Sequence, residues 1–208
     1  MGIPVLILGE SASGKSSSLR NFKPEEVGVF NTAGKRLPFK NALPTANNVS
    51  YAAIIQSIKK AAKKIYVIDD SQYLLCFEMF DRAKEVGYQK FTDIALHFYE
   101  LIQTILRETP DDVIVYFLHH IETTAEGKRK AKTIGKMLDE KLTVEGLFTI
   151  VLLCETDGER HWFTTQSDGT TTAKTPIGMF EEREIDNDLK AVDTAIREYY
   201  EISGGKKK

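Results

Sequence analysis

Two cysteines in 208 residues, Cys76 and Cys154, are too few to staple a fold, and neither belongs to a CxxC pair. They fall in a predicted helix and a predicted strand, in apolar settings. This predicts reduced core thiols and a cytoplasmic protein. No hydrophobic run approaches the length of a membrane helix, so no membrane partner is expected. The N-terminus runs straight into Ile3-Pro4-Val5, without the charged, apolar and cleavable segments of a secretory leader. The net charge is only −2, so the molecule as a whole offers no electrostatic case for nucleic acid. There is no internal repeat and no linker-like stretch. Hydrophobic residues at 42% and charged residues at 28% suit a globular chain long enough for one sizeable core. The expectation is a single domain over residues 1–202 and a disordered basic tail over 203–208.

What the chain does have is Gly9-Glu10-Ser11-Ala12-Ser13-Gly14-Lys15-Ser16, a GxxxxGKS pattern directly behind the apolar run Val5–Leu8. A buried strand that feeds a glycine-rich loop lets successive backbone N–H groups wrap a polyphosphate. A helix over Lys15–Phe22 would point its positive end at the same anion. Lys15 can reach β- and γ-phosphates, and the Ser16 hydroxyl suits a Mg²⁺ ligand. The expected nucleotide contacts are Gly9, Glu10, Ser11, Ala12, Ser13, Gly14, Lys15, Ser16 and Ser17, with ATP and Mg²⁺ as ligands.

A second half-site follows. Lys64–Asp70 is a short apolar run ending in two carboxylates, the Walker B form. Its strand is expected beside the P-loop strand, with Asp69 holding water on the Mg²⁺ bound by Ser16. Asp70 is then placed to polarise an attacking water. The alternative is that Asp70-Ser71 simply opens the next helix, with Ser71 as its cap.

Apolar and β-branched runs predict strands at Val5–Leu8, Val27–Phe30, Ile65–Ile68, Val113–Leu118, Phe148–Leu153 and Trp162–Thr165. Helical spacing marks Lys15–Phe22, Tyr51–Lys63, Gln72–Val86, Thr92–Arg107 and Asp188–Tyr200, with Thr92 or Asp93 as a cap. Alternating strands and helices predict an α/β fold, a mostly parallel sheet covered on both faces. The turn residues Ser167-Asp168-Gly169 suggest an antiparallel hairpin at the edge. Two connections are long: 32–50, and the basic stretch after His120.

The segments GESASGKSSS, YVIDDSQYL, VIVYFLHH, TIGKMLDEKLTVEGLFTIVL and TTAKTPIGMF, in that order, resemble small phage-encoded AAA-family ATPases with a RecA-like core. Some of that group are assigned as Sak-type single-strand annealing or recombination proteins. The resemblance covers Val5 to about Tyr200. It implies a RecA-like P-loop fold, ATP hydrolysis and a role in phage DNA recombination, annealing or replication. It also implies single-stranded DNA and other copies of the chain as partners, and contact with a phage or host single-strand binding protein.

The resemblance carries site residues with it. A polar residue at the tip of the strand after Walker B senses the γ-phosphate. Strand alternation lets only one of His119 and His120 do so, and the family pattern of His followed two residues later by Glu favours His120. A His-His metal site is disfavoured, because neighbouring strand residues diverge and no third ligand follows at a suitable spacing. A mobile DNA-contacting loop falls on Thr123–Thr133, with Lys128, Arg129, Lys130 and Lys132; a merely solvated charged loop is the competing reading. Lys174 falls where such cores offer a cation to a neighbour's nucleotide, unless it is an exposed lysine in a turn. One departure is plain: Phe30-Asn31 stands where relatives carry a catalytic acid, which leaves Asp70 to do that work, Glu10 to help, or turnover slow. The P-loop also begins at Gly9, without the arm of filament-forming relatives, which leaves rings, short arrays or DNA-dependent assembly open. Two rival functions remain. One is a nucleotide-dependent switch or assembly protein with a protein partner. The other is a small-molecule kinase, for which Arg129 alone makes a poor lid.

Overall fold

In the computed structural model, which describes residues 1–202, the apolar runs form the centre of one mixed sheet. Strand β1 (Ile3–Gly9) lies between β5 (Ile114–Thr123) and β7 (Ile150–Thr156), parallel to both. Beyond β5 come β4 (Ile65–Asp69), β2 (Val27–Asn31) and the short β3 (Thr45–Asn47), all parallel. Beyond β7 the sheet turns antiparallel through β8 (His161–Thr164) and β9 (Glu184–Asp186). A three-residue strand, β6 (Arg129–Ala131), folds back on the end of β5.

Alternation along the strands divides the core in two. Leu6, Leu8, Val115 and Phe117 face the layer of α1 (Tyr51–Lys60), α2 (Gln72–Asp81) and α3 (Gln89–Glu108). Val5, Ile7, Tyr116 and Leu118 face α4 (Leu189–Tyr199) and the 3-10 turn Ser16–Asn21. The result is an α/β fold with a mostly parallel sheet and helices on both faces.

Several local expectations need correction. The predicted Lys15–Phe22 helix is only a six-residue 3-10 turn. Three consecutive serines are weak helix formers, and the Ser18 hydroxyl bonds back to the Lys15 carbonyl (2.6 Å). Helix α1 stops at Lys60, where Ala61 takes a left-handed conformation. Helix α2 ends at Asp81 rather than Val86. Helix α3 begins before Thr92 and Asp93, so neither is its cap. Ser71 does not cap α2 with its side chain; its hydroxyl lies 2.9 Å from His119 Nδ1, to which it donates, and 3.1 Å from the Leu118 carbonyl. The tight hairpin joins β7 to β8 through residues 157–160, while Ser167–Gly169 lie in the long connection from β8 to the antiparallel edge strand β9. Strands β3, β6 and β9 were absent from the sequence reading, since short polar runs carry little strand signal.

Candidate functional site

The C-terminal ends of β1, β5 and β4 meet at one cleft of about 390 Å³, lined by Gly14, Lys15, Ser16, Asp69, Asp70 and His120 among others. The Walker B strand does not lie beside β1 as expected: β5 stands between them. That insertion has a consequence. His120, paired in register with Gly9, is carried into the middle of the cleft, between the glycine-rich loop and the two carboxylates.

The loop after β1 is close-packed at its glycines. A Cβ on Gly9 would lie 2.5 Å from Ser13 Oγ and 2.8 Å from the Cys154 carbonyl. At Gly14, φ is +102° and a Cβ would lie 2.9 Å from His161 Nδ1. His161 Nδ1–H donates to the Ser13 carbonyl (2.8 Å), which also takes the Cys154 thiol (3.1 Å). Burial pushes that thiol up to about 11, so it stays protonated and donates. The Ser13 hydroxyl is buried without a partner. The following turn is a short 3-10 segment and offers little helix dipole, so the loop amides and Lys15 are the groups here that could hold an anion.

Lys15 is buried and curls over its own loop, donating to the carbonyls of Gly9 (2.8 Å) and Glu10 (2.7 Å). Burial lowers its pKa. Ser16 Oγ donates to Asp69 Oδ1 (2.8 Å). Asp69 is buried, and desolvation with the neighbouring Asp70 charge raises its pKa. Glu10 is exposed and lends the site its carbonyl. Ser11, Ala12 and Ser17 line the cleft, with Ala12 in a left-handed conformation (φ +66°).

Asp70 is the most constrained residue of the cleft. Its φ is +57°, a region that L-residues seldom adopt. Its Oδ1 lies 3.2 Å from His120 Nε2 and its Oδ2 lies 2.7 Å from Lys35 Nζ. Burial alone would raise this carboxyl, but the bonds from His120 and Lys35 outweigh it and hold the pKa down at about 2. The Tyr73 ring, 5.4 Å from the His120 ring and 5.7 Å from Lys35 Nζ, completes the cluster. His119 points the other way. Its Nε2–H donates to the Lys132 carbonyl (2.9 Å), and burial lowers its pKa to about 4.

Lys35 and His161 were not singled out by sequence reasoning. Lys35 sits in the long 32–50 connection, whose length was the only signal. Asn31 explains its placement: the Asn31 side-chain amide donates to the Lys35 carbonyl, and the Asn31 carbonyl accepts from Gly34 N–H (3.2 Å) and Asn48 N–H (3.2 Å). Asn31, at the tip of β2, is thus the residue that folds the Lys35 turn.

Two groups lie apart from the cleft. The basic stretch is a β5–β6 hairpin rather than a loop, tied to the site where Lys132 N–H donates to the His120 carbonyl (2.9 Å). Arg129 pairs with Glu155 (2.6 Å), and Lys130 pairs with Glu122 (3.1 Å) and Asp139, while Lys128 and Lys132 are exposed. Lys174 lies beyond the β7–β8 hairpin, in the connection to β9. Its backbone bridges Val151 on β7 with both bonds at 2.8 Å, and it does not line the cleft of its own chain.

No family model matches this chain, and no curated protein does either. Among the described residues, no helix is long and apolar enough to cross a membrane, and no three His, Cys, Asp or Glu side chains cluster as a preformed metal centre. The tail 203–208 lies outside the described residues.

Proposed function

We propose that the chain is a RecA-like P-loop ATPase that binds ATP with Mg²⁺ and acts on single-stranded DNA in phage recombination, annealing or replication. The observation that carries the nucleotide part is the 2.8 Å bond between Ser16 and Asp69. It joins the two motifs, 53 residues apart, across an intervening strand, and a hydroxyl beside a carboxylate supports a cation held between them. The donor set fits Mg²⁺, which takes few protein oxygens and completes its shell with water and phosphate. When bound, the ion would neutralise phosphate charge. Lys15, in exchanging two carbonyls for β- and γ-phosphate oxygens, replaces neutral acceptors with charged ones.

Asp70 and His120 are the residues for the attacking water. A carboxylate held at about 2 orients water well and accepts a proton poorly. If polyphosphate draws Lys35 away, Asp70 keeps the His120 bond but loses the second of the two partners that depress it, and becomes a better base. His120 then remains within reach of both the carboxylate and the loop, as a sensor of the γ-phosphate must be. The DNA role and assembly with other copies rest on the family resemblance and on the exposed Lys128 and Lys132.

A second reading, a nucleotide-dependent switch with a protein partner, is favoured by one feature. Arg129 and Lys130 are already engaged by carboxylates of their own chain, which weakens the hairpin as a DNA surface. The deciding experiment measures ATP binding and turnover with and without single-stranded DNA, alongside native mass in both states. The proposal expects Mg²⁺-dependent turnover that Lys15→Ala abolishes. Unchanged turnover in that variant overturns the P-loop reading. Turnover without DNA binding at low salt moves the function to the switch.

A further inference from the structure

Of the residues that line the cleft, His161 alone comes from the antiparallel part of the sheet. It stands at the head of β8, and neither nucleotide motif contains it. Its ring lies against the glycine-rich loop: a Cβ on Gly14 would come within 2.9 Å of Nδ1 and 3.0 Å of Cγ.

The contact is directed. The Ser13 carbonyl only accepts, so His161 Nδ1, at 2.8 Å, must carry the hydrogen. That bond sets the tautomer of the neutral ring and leaves the lone pair on Nε2. A second donor converges on the same oxygen. Cys154 Sγ lies 3.1 Å from it, and Asn187 Nδ2 donates to that sulfur at 3.2 Å, which leaves the thiol hydrogen for Ser13. Asn187 is held in turn by Arg20, whose Nη1 donates to its carbonyl (2.6 Å). One backbone carbonyl of the loop is thus gripped from two strands, β7 and β8.

The other end of that peptide is Gly14 N–H. In a trans peptide the carbonyl and the following N–H point in opposite directions. Holding the Ser13 carbonyl toward β7 and β8 therefore aims Gly14 N–H away from them. Gly14 lines the cleft, and among the described residues its N–H donates to no protein group. The reverse orientation is open to the chain. Gly14 sits at φ +102°, and a glycine lets the preceding peptide rotate with no Cβ in the way. A flipped peptide would offer a carbonyl oxygen where the N–H had stood, and a carbonyl oxygen repels an anion.

We propose that His161 is a positioning residue: its Nδ1–H, with the Cys154 thiol, holds the Ser13–Gly14 peptide so that Gly14 N–H faces the phosphates of the bound nucleotide. The inference rests on the proposed nucleotide reading and gives β8 a part in it. His161 touches no phosphate in this role and acts through one peptide. An N–H given to a phosphate oxygen is a charge-assisted bond, so the two peptide orientations differ chiefly in phosphate affinity. The role demands a donor at Nδ1 and not an imidazole as such. Asparagine meets it, since its Nδ2 stands as many bonds from the backbone as Nδ1 of histidine. Phenylalanine keeps a ring against Gly14 and supplies no donor.

The test compares the full chain with its His161→Asn and His161→Phe variants. Calorimetry measures binding of Mg²⁺-ATP and Mg²⁺-tripolyphosphate, and steady-state hydrolysis gives KM and kcat. His161 is exposed, so both variants should melt with the wild type. His161→Phe should bind both probes about tenfold more weakly and raise KM to match, with kcat little changed. His161→Asn should recover most of both affinities. A loss for ATP with none for tripolyphosphate would put His161 against the sugar or base and overturn the positioning role. Equal binding in all three proteins overturns it, as does a loss in His161→Asn as large as in His161→Phe. Nitrogen-15 spectra of the wild-type histidine rings need no variant to fold: a neutral His161 with its hydrogen on Nε2 overturns the proposal. Wild type that binds neither probe overturns the nucleotide reading and this inference with it, and the wild-type titration alone tells that failure from the others.

Discussion

Lys35 Nζ reaches Asp70 Oδ2 at 2.7 Å, a lysine side chain 64% exposed clasping a carboxylate only 8% exposed. The pair is therefore lopsided. Asp70 is buried at a left-handed backbone position, so it depends on its partners, while Lys35 gives up little to leave. On the proposed nucleotide reading, polyphosphate would offer Lys35 a stronger anion, and the pair would act as a latch that the nucleotide opens.

Asp70→Asn should destabilise the protein at neutral pH by about 2 kcal/mol. The sign follows from the folded pKa of about 2, which lies below the usual 3.8. A carboxyl depressed in the folded state contributes stability above its unfolded pKa and loses it as pH falls through the folded one. Denaturant melts of wild type should thus show an acid loss between roughly pH 4 and pH 2 that is smaller in Asp70→Asn. Parallel acid limbs in the two proteins would remove the latch from the argument.

Asp69 should behave in the opposite sense. Its pKa is raised by burial and by Asp70, so its charge opposes folding at neutral pH. Asp69→Asn should raise the melting temperature of the nucleotide-free protein while losing most Mg²⁺-dependent hydrolysis. A drop in both would mean that the Ser16 bond outweighs desolvation.

Adjacent residues with opposite thermodynamic roles mark the limit of what sequence pattern conveys. The loop Gly9–Ser16 and the strand ending at Asp69 were legible, because each is local: a spacing and an apolar run. Alternation showed that only one of His119 and His120 could face the cleft; the choice of His120 came from the family resemblance, and His120 is the one that lines it. The order of the parallel strands was not, since neither β1 nor β4 carries a mark of which neighbour it takes. Lys35 was hidden for a related reason. It is a charged residue in an aperiodic connection, and its partner lies 35 positions away, reached only because Asn31 folds the turn between. The 3-10 turn after the loop lay within the ambiguity of a serine-rich run.

Single-stranded DNA binding should depend on Lys128 and Lys132 rather than on the whole basic stretch. Arg129 and Lys130 are paired, so roughly two phosphate contacts remain, with a log–log salt slope of about −1.4 at −0.7 per contact. Lys128→Ser with Lys132→Ser should flatten that slope and leave basal hydrolysis alone. Arg129→Ser should instead loosen the hairpin, seen as faster amide exchange at Ile121 and Ala131. Undiminished DNA affinity in the double variant would place the DNA surface elsewhere.

Lys174 should act on a neighbour and not on its own chain. Its backbone is pinned to Val151 by two 2.8 Å bonds, while it stays outside the cleft its own chain lines. A side chain on backbone so held lies outside its own cleft, and on the proposed reading would serve a γ-phosphate only on a stacked copy. Lys174→Ala should bind ATP normally and lose the part of hydrolysis that rises with protein concentration or DNA. Mixing sharpens the test. In an assembly of Lys15→Ala with Lys174→Ala protein, some interfaces pair an intact loop with an intact Lys174. Those interfaces should recover turnover that neither variant shows alone. Co-assembled mixtures that remain as inactive as their components would assign Lys174 to the sheet edge and nothing more.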